Sequence, residues 1–174
     1  ERHQRGAERA RQAGRTPGDC FAVLMIGRLD DYIRDMARDR QAALSDEDLQ
    51  LAGLAVTKRA YQLYRQRGYQ AVLLVAALRS MLHCTEMAGA HCIISIHPAY
   101  QKPLTQPGVP QELRIEQPVP EATIERLCTI PEFVRAYEPQ GMAPSEFISF
   151  GLTQRTLSQF KEVGWAKIEQ LSGF

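Results

Sequence analysis

Cys20-Phe21-Ala22-Val23-Leu24-Met25-Ile26-Gly27-Arg28-Leu29-Asp30-Asp31 and Ala71-Val72-Leu73-Leu74-Val75-Ala76-Ala77-Leu78-Arg79-Ser80 are two apolar runs, each carrying an arginine at its C-terminal end. Apolar stretches of this length without polar alternation read as strands buried on both faces, the pattern of a parallel sheet covered by helices. Sheets of that kind bind ligands at the carboxyl ends of their strands, where Arg28 and Arg79 fall. A planar guanidinium donates two parallel hydrogen bonds to a phosphate or carboxylate, so two converging arginines make an anion site. The expected ligand is a small anion.

Outward from these runs the pattern alternates. The charged opening, Glu1 to Arg11, reads as the exposed face of a crossover helix. After the first run, Asp30 to Ala43 interleaves charges with Tyr32, Ile33, Met36 and Ala37. Ser45-Asp46-Glu47-Asp48 then offers an N-cap serine with acids in the first turn. Leu49, Ala52, Val56, Ala60 and Leu63 recur at helical spacing until Arg67-Gly68. Beyond Arg79, Ser80 reads as the cap of a short helix with Leu82 and Met87 inward, closed by Gly89. A third run, Cys92-Ile93-Ile94-Ser95-Ile96-His97, ends at Pro98. Right-handed crossovers make this βα repeat a parallel sheet.

The second half changes character. Five prolines between Lys102 and Pro120 predict an irregular surface excursion. Short helices are expected over Glu121 to Leu127, Pro131 to Tyr137 and Pro144 to Phe150, each opened by a proline. Thr153 is expected to cap a last helix in which Leu157, Phe160, Gly164 and Ile168 share a face, with Trp165 beside it. The expected organisation is thus 1–104 for the βα units, 105–120 for a proline-rich connection and 121–174 for a helical extension, which packs on the sheet or forms an interface.

Composition narrows the function classes. The 174 residues are 44% hydrophobic, enough for a core, and the formal charge of +1 gives no basic field for nucleic acid. No apolar run approaches the roughly 20 residues a membrane helix needs. Neither nucleic acid nor membrane is an expected partner. Cys20, Cys84, Cys92 and Cys128 show no CxxC spacing and read as reduced thiols, which places the protein in the cytoplasm.

The same residues resemble the transaldolases, Schiff-base aldolases built on a (β/α)8 TIM barrel. In that family the sixth strand ends in glycine or asparagine, arginine and an apolar residue, often followed by aspartate; Gly27-Arg28-Leu29-Asp30 is similar. The seventh ends in a small residue, serine, phenylalanine and arginine or lysine, to which Ala76-Ala77-Leu78-Arg79 is similar. The eighth follows an alanine-glycine turn and ends in serine or alanine and proline, and here Ala88-Gly89 and His97-Pro98 stand. The resemblance spans residues 1 to 104. The tail, with Glu138-Pro139-Gln140-Gly141-Met142 and Phe150-Gly151-Leu152-Thr153, resembles only one branch of the family. Val23, Leu24 and Ala77 depart from it, the first two where serine and proline are frequent and the third at the seventh-strand serine.

The resemblance implies an α/β fold made of the C-terminal part of the barrel, about three βα units, plus the helical extension. The family's nucleophilic lysine, catalytic aspartate and catalytic glutamate would all precede Glu1, so no catalytic residue is assigned here. The expected partners are a sugar phosphate, the N-terminal part of the same barrel and a second copy of the chain. An isolated three-strand sheet would leave its edges unpaired and one apolar side uncovered. For the intact protein the resemblance implies transfer of a dihydroxyacetone unit between sugar phosphates through a lysine imine, without metal or cofactor. Arg28, Arg79 and Ser80 would bind phosphate, and Ser95 and His97 would line the pocket. Two other readings stand beside it: a non-catalytic sugar-phosphate-binding or regulatory homologue, and a related sugar-phosphate aldolase.

Plainer readings compete at single positions. Arg28 beside Asp30 and Asp31 fits a salt-bridged strand end, whereas Arg79 has no adjacent acid and leads into a helix N-terminus that favours anions. His83, Cys84, His91 and Cys92 span a helix end and a strand start without the spacing of a metal knuckle, so no metal site is expected. Lys58, Lys161 and Lys167 read as surface lysines on helices. Lys102, in a proline-bounded loop, reaches towards the strand ends but is not assigned as nucleophile.

Overall fold

Hydrophobic periodicity switches from strand to helix inside the first apolar run, and this switch sets the geometry of the whole carboxyl end of the sheet. The structure is a computed structural model that describes residues 2–172. Helix α1 (Arg2–Gln12) precedes strand β1 (Phe21–Met25), and the chain enters helix α2 (Ile26–Asp39) without a loop. Ile26, Leu29, Ile33 and Ala37, at helical spacing, are buried on one side of α2. The strand therefore ends at Met25, and Arg28 lies in the first helical turn rather than at a strand terminus, as the sequence reading had placed it.

Helix α3 (Asp46–Gln50) opens with the expected cap: Ser45 Oγ accepts from the Asp48 amide at 3.1 Å, and Asp48 Oδ2 accepts from the Ser45 amide at 3.3 Å. Helix α4 (Ala52–Gln66) ends at Arg67, and Gly68 takes the left-handed conformation that turns the chain into strand β2 (Val72–Ala76). The short helix α5 (Leu82–Thr85) leads to strand β3 (Cys92–Ile94). The three strands form a parallel sheet in the order β1-β2-β3, with Val23 opposite Leu74 and Leu74 opposite Ile93. Three parallel strands alternating with helices agree with the expected βα repeat.

Helix α6 (Pro98–Leu104), which the sequence reading does not expect, comes next, and the irregular excursion follows it from Thr105. Pro98 occupies its first turn, where a missing amide hydrogen costs nothing. Helices α7 (Glu121–Leu127) and α8 (Pro131–Tyr137) match the expected spans, but Pro144–Glu146 is only a 3-10 turn. The C-terminal helix begins at Gly151, with Phe150 rather than Thr153 in the cap position. It runs as α9 (Gly151–Ser158), a π-helical stretch (Gln159–Trp165) and α10 (Ala166–Ser172). Thr153 falls inside its first turn because the buried Phe150, packed edge-to-face on Tyr32 at 5.5 Å, fixes where the helix starts. No helix among the described residues is long and apolar enough to cross a membrane.

Two hydrophobic clusters fill the interior. Leu73, Val75, Ile26, Leu54 and Met87 join one face of the sheet to α2, α4 and the α5 turn. Ile33, Ala52, Leu127, Ile130 and Phe133 join α2 and α4 to α7 and α8. The other face of the sheet is bare: Phe21 is 49%, Val23 56% and Ile93 42% exposed. Burial on both faces, expected from the apolar runs, is thus corrected: residues 2–172 supply cover for one face only. The outer edges of β1 and β3 have no strand partner among the described residues.

Lys58 corrects a second expectation. It is 4% exposed, not a surface lysine, and its Nζ donates to Glu86 Oε2 at 2.8 Å and to the carbonyls of Arg114 at 2.9 Å and Gln117 at 2.7 Å. The proline-rich excursion, short of regular hydrogen bonding of its own, is anchored by this ammonium.

Asp48 links α3 to α7 through two bonds from Arg126, of 2.9 and 2.7 Å. These bonds, helped by Ser45 and opposed by burial, hold its carboxyl far below the usual carboxylate range. A carboxyl with a folded pKa below its unfolded value binds fewer protons when folded. Its contribution is complete above the unfolded value, about 4, and is lost as pH falls through the folded one. Asp48→Asn is therefore expected to lower stability at pH 7 by roughly 1–3 kcal/mol, with the deficit against wild type shrinking below about pH 4; urea denaturation at several pH values measures it.

Candidate anion site

The turn after β2 is shaped by close backbone packing. Ala77 has φ of +59°, a conformation that costs a residue with a side chain. Its carbonyl lies against Gly27, where an added Cβ would fall within 2.5 Å of Arg79 Cγ and closer still to the Ala77 oxygen. Only glycine lets α2 approach this turn.

That approach brings Arg28 and Arg79 into one small cleft. It encloses about 110 Å³ between α2, the β2–α5 turn and α9, and its lining includes Arg28, Asp31, Tyr32, Asp35, Arg79 and Arg155. Arg79 Nη1 donates to the Ala77 carbonyl at 2.9 Å, while Nε and Nη2 donate to Asp31 Oδ2 at 3.0 and 2.6 Å. Arg155 Nη1 donates to Asp35 Oδ2 at 2.6 Å and its guanidinium lies 5.0 Å from the Tyr32 ring centroid. Arg28 Nη1 donates to Gln159 Oε1 at 2.7 Å, with its guanidinium 4.9 Å from the centroid of Phe160.

These partners differ from the simplest sequence reading. Asp31 pairs across the sheet end with Arg79, which had no acid next to it in sequence, and Arg28 bonds a neutral amide instead of a neighbouring carboxylate. The cleft thus holds three guanidinium groups against the carboxylates of Asp31 and Asp35. The Arg79 and Asp31 side chains are about half exposed, and exposed pairs of this kind contribute little to stability.

A second groove, of about 580 Å³, adjoins Arg79 on its other side and is lined by Ala77, Arg79, Ser95, His97 and Tyr100 among others. Ser95 and His97 are exposed there. His97 Nδ1 accepts from the Ala99 amide at 3.2 Å and so caps α6. Arg79 is shared by the two clefts, so the structure joins Arg28 and Arg79 on one side and Arg79, Ser95 and His97 on the other. Ser80 does not line either one. Nor does it cap α5, which has Met81 in the cap position and no side-chain cap bond. The acceptor for this turn is His83, whose Nδ1 takes the Arg79 amide at 3.2 Å.

The sequence reading weighs Asp30 as a partner of Arg28 and His83 as a metal ligand, but not the pairing of the two that the structure shows. His83 is 1% and Asp30 5% exposed, and His83 Nε2 lies 2.9 Å from Asp30 Oδ2. Asp30 Oδ1 accepts from the Gly53 amide at 2.6 Å. The signal was present in the sequence: Asp30 falls four residues after Ile26 and three before Ile33, on the apolar stripe of α2.

Cys84, Cys92 and His91 do not gather with His83, and among the described residues no group of three metal-binding side chains occurs. The four cysteines are free, and burial pushes the thiols of Cys84, Cys92 and Cys128 up. A separate cleft of about 270 Å³ sits at the amino-terminal end of β2 among Tyr61, Tyr64, Tyr69 and His91, away from Arg28 and Arg79.

Compared with known protein families, curated proteins and solved structures, the chain has no match.

Gly27→Ala is expected to destabilise the protein by roughly 1–3 kcal/mol, since the clash is with backbone that cannot move aside. Denaturant titration measures this, and a loss below about 0.5 kcal/mol would show that α2 and the β2 turn are not in contact.

Proposed function

We propose that this chain is the phosphate-binding end of a transaldolase-like barrel, an enzyme that transfers a dihydroxyacetone unit between sugar phosphates through a lysine imine. The observation that carries the reading is the convergence of Arg28 and Arg79, from the first two βα units, on one cleft at the carboxyl end of the sheet. The bare apolar face of the sheet fits a barrel interior. The unpaired outer edges of β1 and β3 fit the addition of further parallel strands on both sides.

In this reading a sugar phosphate exchanges with Asp31 on the Nε and Nη2 edge of Arg79, and Arg28 supplies the second guanidinium from across the cleft. Two planar cations hold the phosphate and turn the sugar carbonyl towards the imine lysine, which lies on strands outside this chain. Lys58 does not serve as that lysine, because its ammonium is buried and bonded to three oxygen atoms. Ser95 and His97 line the groove through which the rest of the sugar would extend. No metal or organic cofactor takes part in this chemistry.

Arg79→Gln and Arg28→Gln, made in the polypeptide that carries this chain, are each expected to raise KM for fructose 6-phosphate about 10- to 100-fold, the equivalent of losing a charge-assisted hydrogen bond. kcat should fall less. An unchanged KM in both variants would remove the anion site from the reading.

A further inference from the structure

Asp30 and His83 lie under the anion cleft without touching it. Each is adjacent to a cleft component: Asp30 precedes Asp31 on α2, and His83 holds the backbone of Arg79. Asp30 takes the Gly53 amide on one oxygen and faces His83 Nε2 on the other, so α2, α4 and the turn after β2 meet at one carboxylate. Because Nδ1 accepts the Arg79 amide, the ring proton belongs on Nε2, where it is donated to Asp30; this tautomer is assigned from the bonding pattern.

The turn this chain of bonds supports is not relaxed. Ala77 is held at positive φ, and Arg79 secures it twice, through its amide to His83 and through Nη1 to the Ala77 carbonyl. Without an acceptor at His83 Nδ1, the Arg79 amide would lose its partner and the turn would be free to relax.

We propose that His83 is a positioning residue of the anion site. Its Nδ1 fixes the turn that presents the Arg79 guanidinium, and its Nε2–H on Asp30 ties that turn to the helix bearing Arg28 and Asp31. The proposal rests on the anion-site reading above and adds the group that sets the spacing between the two arginines.

Two substitutions separate this role from mere structural support. Asn Oδ1 lies where Nδ1 was, so His83→Asn keeps an acceptor for Arg79 but leaves Asp30 without its partner. Gln Nε2 reaches the place of the ring Nε2, so His83→Gln keeps the bond to Asp30 but loses the acceptor for Arg79. A buried carboxylate reduced to its single bond from the Gly53 amide is a larger loss to folding than a backbone amide without its acceptor, so His83→Asn is expected to be the less stable of the two in urea.

The order should reverse in binding. In the full polypeptide, titrated with inorganic phosphate by calorimetry, His83→Asn is expected to stay within about 3-fold of wild type, and His83→Gln to weaken at least about 10-fold. Exchange of the Arg79 amide with deuterium should accelerate in His83→Gln and not in His83→Asn. If wild type binds phosphate but both variants lose affinity in the order of their stabilities, or exchange at Arg79 is the same in both, this inference falls and the anion site stands. If wild type binds no phosphate, the anion-site reading falls and the positioning role with it, even if exchange at Arg79 still shows His83 holding the turn.

Discussion

The carboxylate of Asp30 is the constraint on which the carboxyl end of the sheet depends. Almost shut off from water, it has to find hydrogen bonds inside the protein, and leaving it unpaired would cost several kcal/mol. It finds them in the Gly53 amide and His83. Gly53 is itself dictated by this arrangement, since a Cβ there would lie 2.8 Å from Asp30 Oδ1 and closer to the Ile26 carbonyl. One buried group thus sets how near α4 comes to α2 and where the turn after β2 sits. The positions of Arg28, Asp31 and Arg79 follow from those distances.

The element pattern was largely legible in the sequence because it rests on local signals. The cap at Ser45 with Asp48, the left-handed Gly68 and the proline that opens α8 act within one turn of the chain, whereas α6, opened by Pro98, was not expected. The apolar runs located all three strands, although the first contains both a strand and the start of a helix. Reading Ile26, Leu29 and Ile33 as a helical stripe would have ended β1 at Met25 and put Arg28 on α2.

The site was less legible because its partners are distant in sequence. Asp31 meets Arg79 and Arg28 meets Gln159 through tertiary packing, and no spacing rule predicts either pair. Lys58 shows the same limit: charged neighbours in sequence suggested a surface position, while the fold buries it to anchor residues Arg114 and Gln117. Helix caps announce themselves; ion pairs between separate elements do not. The C-terminal helix illustrates both cases. Its apolar residues were visible at helical spacing, but Phe160, Trp165 and Ile168 remain more than half exposed instead of packing on the sheet. Gln159 and Phe160, through Arg28, and Arg155, through Asp35 and Tyr32, tie this helix to the cleft.

The bare sheet face and the placement of the lysines lead to one decisive measurement. In the proposed function two phosphate-binding arginines lie in this chain and the imine lysine lies outside it. Borohydride reduction of the intact polypeptide in the presence of fructose 6-phosphate, followed by peptide mass mapping, tests this directly. The account predicts a single reduced adduct on a lysine outside the 174 residues described by this sequence, with Lys58, Lys102, Lys161 and Lys167 unmodified. No adduct, or an adduct on one of those four, would contradict it.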